Sequence, residues 1–266
     1  AGTGRLLNHT VVRPNLGEAE RMAEWAEEYK PVGWKVYTMG LMDESYRHPK
    51  PGTGWRLDDE ASGMLLLEGA RAAGVKVVCA HKGLSGMVDA GSPDDVGPAA
   101  LAYPDIDFLI YHSGYEPGQA EGAYGDDTAH LGVNRLITSV VDAGLGHGSN
   151  VYAELGSTWF LLLSRPEEAA HTLGKLLLHL GEDNIIWGTD SIWYGPTQPV
   201  LDAFRTFQIP DELCERYGYP KLTPEAKRKI LAGNAARVYG VDLDALAVAA
   251  ATDDLSWTSD VAAAYG

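Results

Sequence analysis

The sequence predicts an α/β domain on a parallel sheet, closed as a barrel or doubly wound. Three observations carry this. Six short runs rich in Val, Ile, Leu, Tyr or Trp alternate with stretches of helical periodicity. Three of those runs finish on a histidine or an aspartate. Neither G-x-G-x-x-G after a strand nor G-x-x-x-x-G-K-[ST] occurs, so two usual reasons to prefer a nucleotide-binding doubly wound sheet are missing.

In chain order, Arg5–Val12 reads as the first strand. The helix Glu18–Tyr29 follows, with Met22, Trp25, Ala26 and Tyr29 at helical spacing. Gly33–Met39 is the second strand. The helix Asp58–Ala73 carries Met64, Leu65 and Leu67 and stops at Gly74. Val75–His81 and Asp107–His112 are the next strands, then a helix over Thr128–Ala143 ending before Gly144. Asn150–Leu155 is a strand, and the helix Pro166–Leu180 opens on Pro-Glu-Glu and closes at Gly181. Proline in the first turn and glycine past the last is the expected asymmetry. Asn184–Asp190 is the sixth strand. Pro224–Tyr239 is the last regular helix, with Thr223 as N-cap and Gly240 to close it. The rest reads as a short helix and a weakly ordered tail. One barrel-type domain over 1–242 and a C-terminal segment over 243–266 are therefore expected.

Composition bounds the function. With 266 residues and 45% hydrophobic content the chain can bury a large core. A net charge of −16 argues against nucleic acid or an anionic membrane as partner. Cys79 and Cys214 show no metal or disulfide spacing and read as packed, reduced thiols. No membrane span or signal peptide is visible, so the expected location is cytoplasmic and the expected partner a small-molecule substrate.

The strand ends hold the chemistry. "VKVVCAH" ends on His81, "DFLIYH" on His112 and "NIIWGTD" on Asp190. Parallel strands bring their C-terminal ends to one face, where enzymes on a barrel place their working groups. By strand alternation, His81 shares its face with Cys79 and Val77, His112 with Ile110 and Phe108, and Asp190 with Gly188 and Ile186. A lone histidine at a strand end is commonly a loop hydrogen-bonder, and an aspartate before serine is commonly a cap; three such ends together favour a site. Two histidines and an aspartate suit a divalent ion such as zinc, which lowers the pKa of bound water to about 7.

The segments "CAHKG", "IYHSGY", "YAELGS", "IIWGTDS" and "KRKILAGNAARVYG" resemble the amidohydrolase superfamily, in its amidohydrolase-2 branch of decarboxylases and hydrolases. The resemblance runs from about Gly33 to Val241 and implies a (β/α)8 TIM barrel with the six strands as strands three to eight. It implies His81 as a metal ligand, His112 as a catalytic acid–base, and Asp190 as both ligand and proton-transfer group, with zinc, or manganese, as the ion. Lys35 falls where two-metal relatives carry a carboxylated lysine; the alternative is a lysine satisfied by neighbouring carboxylates. The family's H-x-H or E-x-H pair is absent, so strands one and two are expected to be missing and the metal site partial. The resemblance also implies a homodimer.

Other residues stay open between two readings. Trp193 and Tyr194 form an aromatic wall for a planar substrate or simply pack a loop, and Tyr115 with Glu116 divides the same way. Glu154 and Ser157 flank a strand end and are candidates for substrate contact. His9 reads as a strand or loop residue, His48 as a loop residue, and His130, His147, His171 and His179 as helix-side histidines. The expected function is metal-dependent hydrolysis of a C–N or C–O bond, or decarboxylation of a small aromatic or unsaturated acid. The alternative is a non-catalytic barrel with an incomplete metal site that self-associates.

Overall fold

The computed structural model describes residues 5–44 and 49–265; His48 lies outside them. Its centre is a six-stranded, wholly parallel sheet in the order β1-β2-β3-β4-β5-β6. The strands are β1 His9–Val11, β2 Gly33–Tyr37, β3 Val77–His81, β4 Asp107–Tyr111, β5 Val151–Glu154 and β6 Ile185–Ile186. Sequential neighbours pair throughout, as successive right-handed βα units dictate. Among the described residues β1 and β6 do not pair, so the sheet stays open.

Thirteen α-helices are described: α1 Met22–Tyr29, α2 Gly63–Ala72, α3 Val96–Ala102, α4 Asn134–Asp142, α5 Thr158–Leu162, α6 Pro166–His179, α7 Ser191–Tyr194, α8 Gln198–Thr206, α9 Asp211–Tyr217, α10 Pro224–Arg228, α11 Asn234–Tyr239, α12 Leu243–Thr252 and α13 Trp257–Tyr265. A π-helical turn, Lys229–Gly233, joins α10 to α11, so the helix expected as one piece changes its winding midway. Thr223 caps α10 by accepting from Ala226 N at 3.1 Å. The C-terminal segment is helical, and Arg5 ties it to the N-terminal strand region through Asp253. No helix among the described residues is long and apolar enough to cross a membrane.

Two apolar clusters flank the sheet. The larger packs Trp34, Val36, Val78, Ala80, Phe108, Ile110, Val151 and Ala153 against the covering helices, with Leu66 and Leu67 of α2, Ile137 of α4 and Phe204 of α8 fully buried. The smaller holds Val77, Cys79, Leu109, Tyr152 and Ile186, against which Tyr111 and α11 residues Ala235, Val238 and Tyr239 pack. Strand pairing aligns Val11, Lys35, Cys79, Leu109 and Tyr152 in one row across this inner face. Tyr37, His81 and Tyr111 form the row nearest the C-terminal edge.

This arrangement corrects one expectation. Phe108 and Ile110 face the helices, and Leu109 and Tyr111 face inward. Strict alternation would send His112 outward after Tyr111. His112 and Ser113 instead adopt positive φ, 68° and 53°, and this left-handed pair turns the imidazole back to the inner side. β6 is also shorter than expected: Trp187–Asp190 leave the ladder, and Asp190 takes φ 50°.

Candidate active site

His81, His112 and Asp190 converge on an open cleft of about 490 Å³ at the C-terminal edge of the sheet. Lys35, Tyr37, His9, Tyr111, Ser157, Trp193 and Tyr194 line it with them. Three of these residues, His112, Ser157 and Asp190, have positive φ, a costly backbone state that persists where surrounding contacts over-determine it. For His112 those contacts are explicit. Its N–H donates to Glu154 Oε2 at 3.3 Å, its carbonyl accepts from Thr158 Oγ1 at 2.9 Å, and Ser113 Oγ donates to the Glu154 carbonyl at 2.8 Å.

The two imidazoles form a relay with one direction. His112 Nδ1 lies 2.7 Å from the Gly156 carbonyl and 3.7 Å from Asp190 Oδ2, and both are acceptors. Nδ1 therefore carries the hydrogen, which leaves a lone pair on His112 Nε2 of the neutral ring. That nitrogen is 3.1 Å from His81 Nδ1, so His81 Nδ1 is the donor and His81 Nε2 holds a lone pair. His81 Nε2 is buried and has no hydrogen-bond partner among the described residues. Burial, then His112, then Lys35 push the His81 pKa down to about 2, and burial lowers that of His112. Both rings are neutral near pH 7.

Asp190 is positioned from β5. Ser157 Oγ donates to its Oδ2 at 2.6 Å, and the side chain keeps 29% exposure. Asp190 stands at the N-cap of α7 yet makes no cap hydrogen bond, so its carboxylate is turned to the cleft instead of the helix. Glu154 sits beneath. Its carboxylate accepts from Gly156 N at 2.8 Å and from His112 N, and burial raises its pKa to about 7. A Cβ at Gly188 would collide with that carboxylate, which accounts for the glycine two residues before Asp190.

The remaining expected residues divide. Trp193 lines the cleft 76% exposed, and Tyr194 stacks on Phe160 at 4.0 Å between ring centroids. Tyr115 does not reach the cleft. It is fully buried toward the helices, with its hydroxyl 2.5 Å from Arg165, because the turn after His112 carries the chain away from the mouth. Glu116 is likewise internal, accepting from Ser85 and pairing with Arg135. His171 is a core residue on the Tyr219 hydroxyl.

Sequence reasoning missed His9 and Tyr111. His9 Nδ1 lies 3.2 Å from the Tyr111 hydroxyl, and both line the cleft. Alternation from Cys79 would have placed Tyr111 inward, had β4 been aligned on Leu109. The lysine after His81 is structural. Its Nζ is 2.7 Å from Asp95 Oδ2, both side chains are fully buried, and this Lys82–Asp95 pair anchors the loop behind the site.

A catalytic zinc takes three protein ligands. Among the described residues no group of three His, Cys, Asp or Glu side chains is placed to hold an ion. His81, whose Nε2 is itself buried, and Asp190 are residues in the cleft wall that carry a free metal-ligating atom. The described residues thus do not complete the expected metal centre.

A family model described as Amidohydrolase, of the amidohydrolase-2 type, matches residues 3–241. Members of that family are generally metal-dependent. No curated protein matches the chain. Among solved structures, a 2,6-dihydroxybenzoate decarboxylase in complex with 2,6-dihydroxybenzoate is 13% identical over 89% of this chain and 71% of its own, with a TM-score of 0.51. An uncharacterised TIM-barrel protein from Bordetella bronchiseptica is 16% identical over 88% of this chain and 66% of its own, with a TM-score of 0.53. A putative 2-pyrone-4,6-dicarboxylic acid hydrolase from Pseudomonas putida is 18% identical over 90% and 71%, with a TM-score of 0.49. At such identities the first two likenesses bear on the fold alone, and they agree with six parallel strands of a TIM-type (β/α) barrel.

Proposed function

Because the chain belongs to the amidohydrolase family, we propose that it is an enzyme of the hydrolase or decarboxylase kind acting on a small planar carboxylic acid. The observation that carries this is His81, its buried Nε2 without a partner and its tautomer set by His112, in the wall of one cleft with Asp190. A neutral imidazole with so low a pKa is a lone-pair donor and not a store of protons. It accepts a hydrogen bond from a substrate hydroxyl or acid and holds it in place. Asp190, with Oδ2 fixed by Ser157, is the group that moves the proton: from water in hydrolysis, or to the carbon that loses CO2 in decarboxylation. Both ring nitrogens of His112 are engaged, so His112 is a positioning residue and acts through His81. Tyr37, Tyr111, Trp193 and Tyr194 supply aromatic walls for a flat substrate. The cofactor we propose is a divalent ion, zinc first and manganese second. The described residues do not complete its site.

The test is turnover of dihydroxybenzoates, followed by CO2 release, and of small acid lactones and amides, followed by ring or amide opening. Each is run with and without added zinc or manganese, for the chain and its His81→Ala and Asp190→Asn variants. Turnover lost in both variants supports the reading; full activity in both contradicts it.

A second reading rests on the open sheet and the incomplete donor set. On it, the chain is a non-catalytic barrel that self-associates, since an unpaired strand edge is a template for another chain. A stable dimer with no turnover under any of these conditions favours that reading.

A further inference from the structure

Lys35 has no part in the hydrolytic or decarboxylating reading, yet it is the least conventional group in the cleft. It stands mid-strand on β2, in the inward row with Cys79, and is 9% exposed. Its Nζ has no hydrogen-bond partner among the described residues. It lies instead 3.6 Å from the Tyr111 ring centroid and 5.0 Å from that of Tyr37. The other buried lysines are satisfied: Lys82 by Asp95, Lys175 by Glu121, and Lys227 by the carbonyls of Arg205 and Phe207. A buried ammonium with ring faces but no hydrogen-bond acceptor is disfavoured, so a larger share of the amine is neutral than for a lysine in water. Burial lowers the Lys35 pKa to about 8, with Cys79, Glu154 and Asp190 opposing. A neutral amine in a cleft is a nucleophile toward carbonyl carbon.

We propose that Lys35 Nζ forms an imine with a small aromatic aldehyde bound in this cleft. The lysine has no hydrogen-bond partner among the described residues and lines, from beneath the Tyr111 ring, a cleft walled by Tyr37, Tyr111, Trp193 and Tyr194, which selects a flat carbonyl compound. The Nζ lone pair bonds to the carbonyl carbon while the C=O π pair moves to oxygen. One Nζ proton is transferred to that oxygen, giving a carbinolamine. The carbinolamine hydroxyl takes up a proton from solvent and leaves as water while the nitrogen lone pair forms the C=N bond, and the remaining Nζ proton is released to solvent, so one water is released per imine. Tyr111, whose pKa burial keeps above its ordinary value and whose hydroxyl meets His9, stays protonated and walls the amine with its ring face. The activity stands apart from any reaction at His81 and Asp190.

The experiment treats the intact chain with 4-hydroxybenzaldehyde and sodium cyanoborohydride at near-stoichiometric aldehyde, then maps the reduced adduct by peptide mass spectrometry. The expected result is one addition per chain, on Lys35, absent from a Lys35→Met variant. Label spread over exposed lysines such as Lys30 and Lys50 with Lys35 unmodified overturns the proposal, as does equal labelling of Lys35→Met. The map on the unaltered chain decides the matter even where Lys35→Met does not fold.

Discussion

His112 Nε2 lies 3.1 Å from His81 Nδ1, and the direction of that hydrogen bond is set outside the pair, by the Gly156 carbonyl 2.7 Å from His112 Nδ1. A backbone carbonyl at the end of β5 thereby decides which nitrogen of a β3 histidine carries a lone pair into the cleft.

His112→Ala removes the acceptor for His81 Nδ1. The His81 ring is then free to take either tautomer and to rotate. Losing such an orienting partner typically costs about 10–100-fold. The expected effect is a fall of that size in kcat with little change in KM, read by steady-state kinetics. An unchanged kcat would place His112 outside the machinery.

Glu154 makes stability depend on pH. Its folded pKa of about 7 lies above the ordinary carboxylate value of 4.5, so the native state binds the proton more tightly than the unfolded chain. The stabilisation is present in full below pH 4.5 and is lost as pH rises through 7. Relative to Glu154→Gln, the unaltered chain should lose on the order of 3 kcal/mol across that window. Denaturant melts of both proteins at pH 4.5, 6 and 8 check it; a constant difference contradicts it.

Lys82→Met leaves Asp95 buried, with its carboxylate facing only the Leu57 N–H at 2.8 Å. An uncompensated buried charge costs about 3–5 kcal/mol, and the urea midpoint should drop accordingly. A shift near zero would mean that the pair does not hold the loop behind His81.

Trp193→Ala removes an indole that is 76% exposed at the cleft rim. Stability should stay within about 0.5 kcal/mol, while KM for a flat substrate rises and kcat is kept. A large loss of stability with unchanged KM would make the residue a packing element.

The strand ends were legible because their signal is local. His81 closes an apolar run, Asp190 follows a Trp-Gly-Thr turn, and both reach the same cleft. Tyr115 and the Phe108–Ile110 face were not, because two non-glycine residues turn left-handed at His112 and Ser113, and Glu154, Gly156 and Thr158, more than forty residues on, help to hold them there. His9 looked like an ordinary strand residue because its partner, Tyr111, is 102 positions away. Lys35 fell inward by alternation, but nothing in the sequence marks a lysine whose neighbours offer it rings in place of carboxylates.

The central claim is that His81 keeps a permanent Nε2 lone pair in the wall of the cleft. Nitrogen-15 imidazole spectra of the intact protein, followed from pH 5 to 8 and assigned with a His81→Gln variant, read it directly. The account predicts a neutral ring over the whole range, with the proton on Nδ1 and none on Nε2. A His81 signal that titrates near the ordinary value of 6.5, or a proton resident on Nε2, would contradict it.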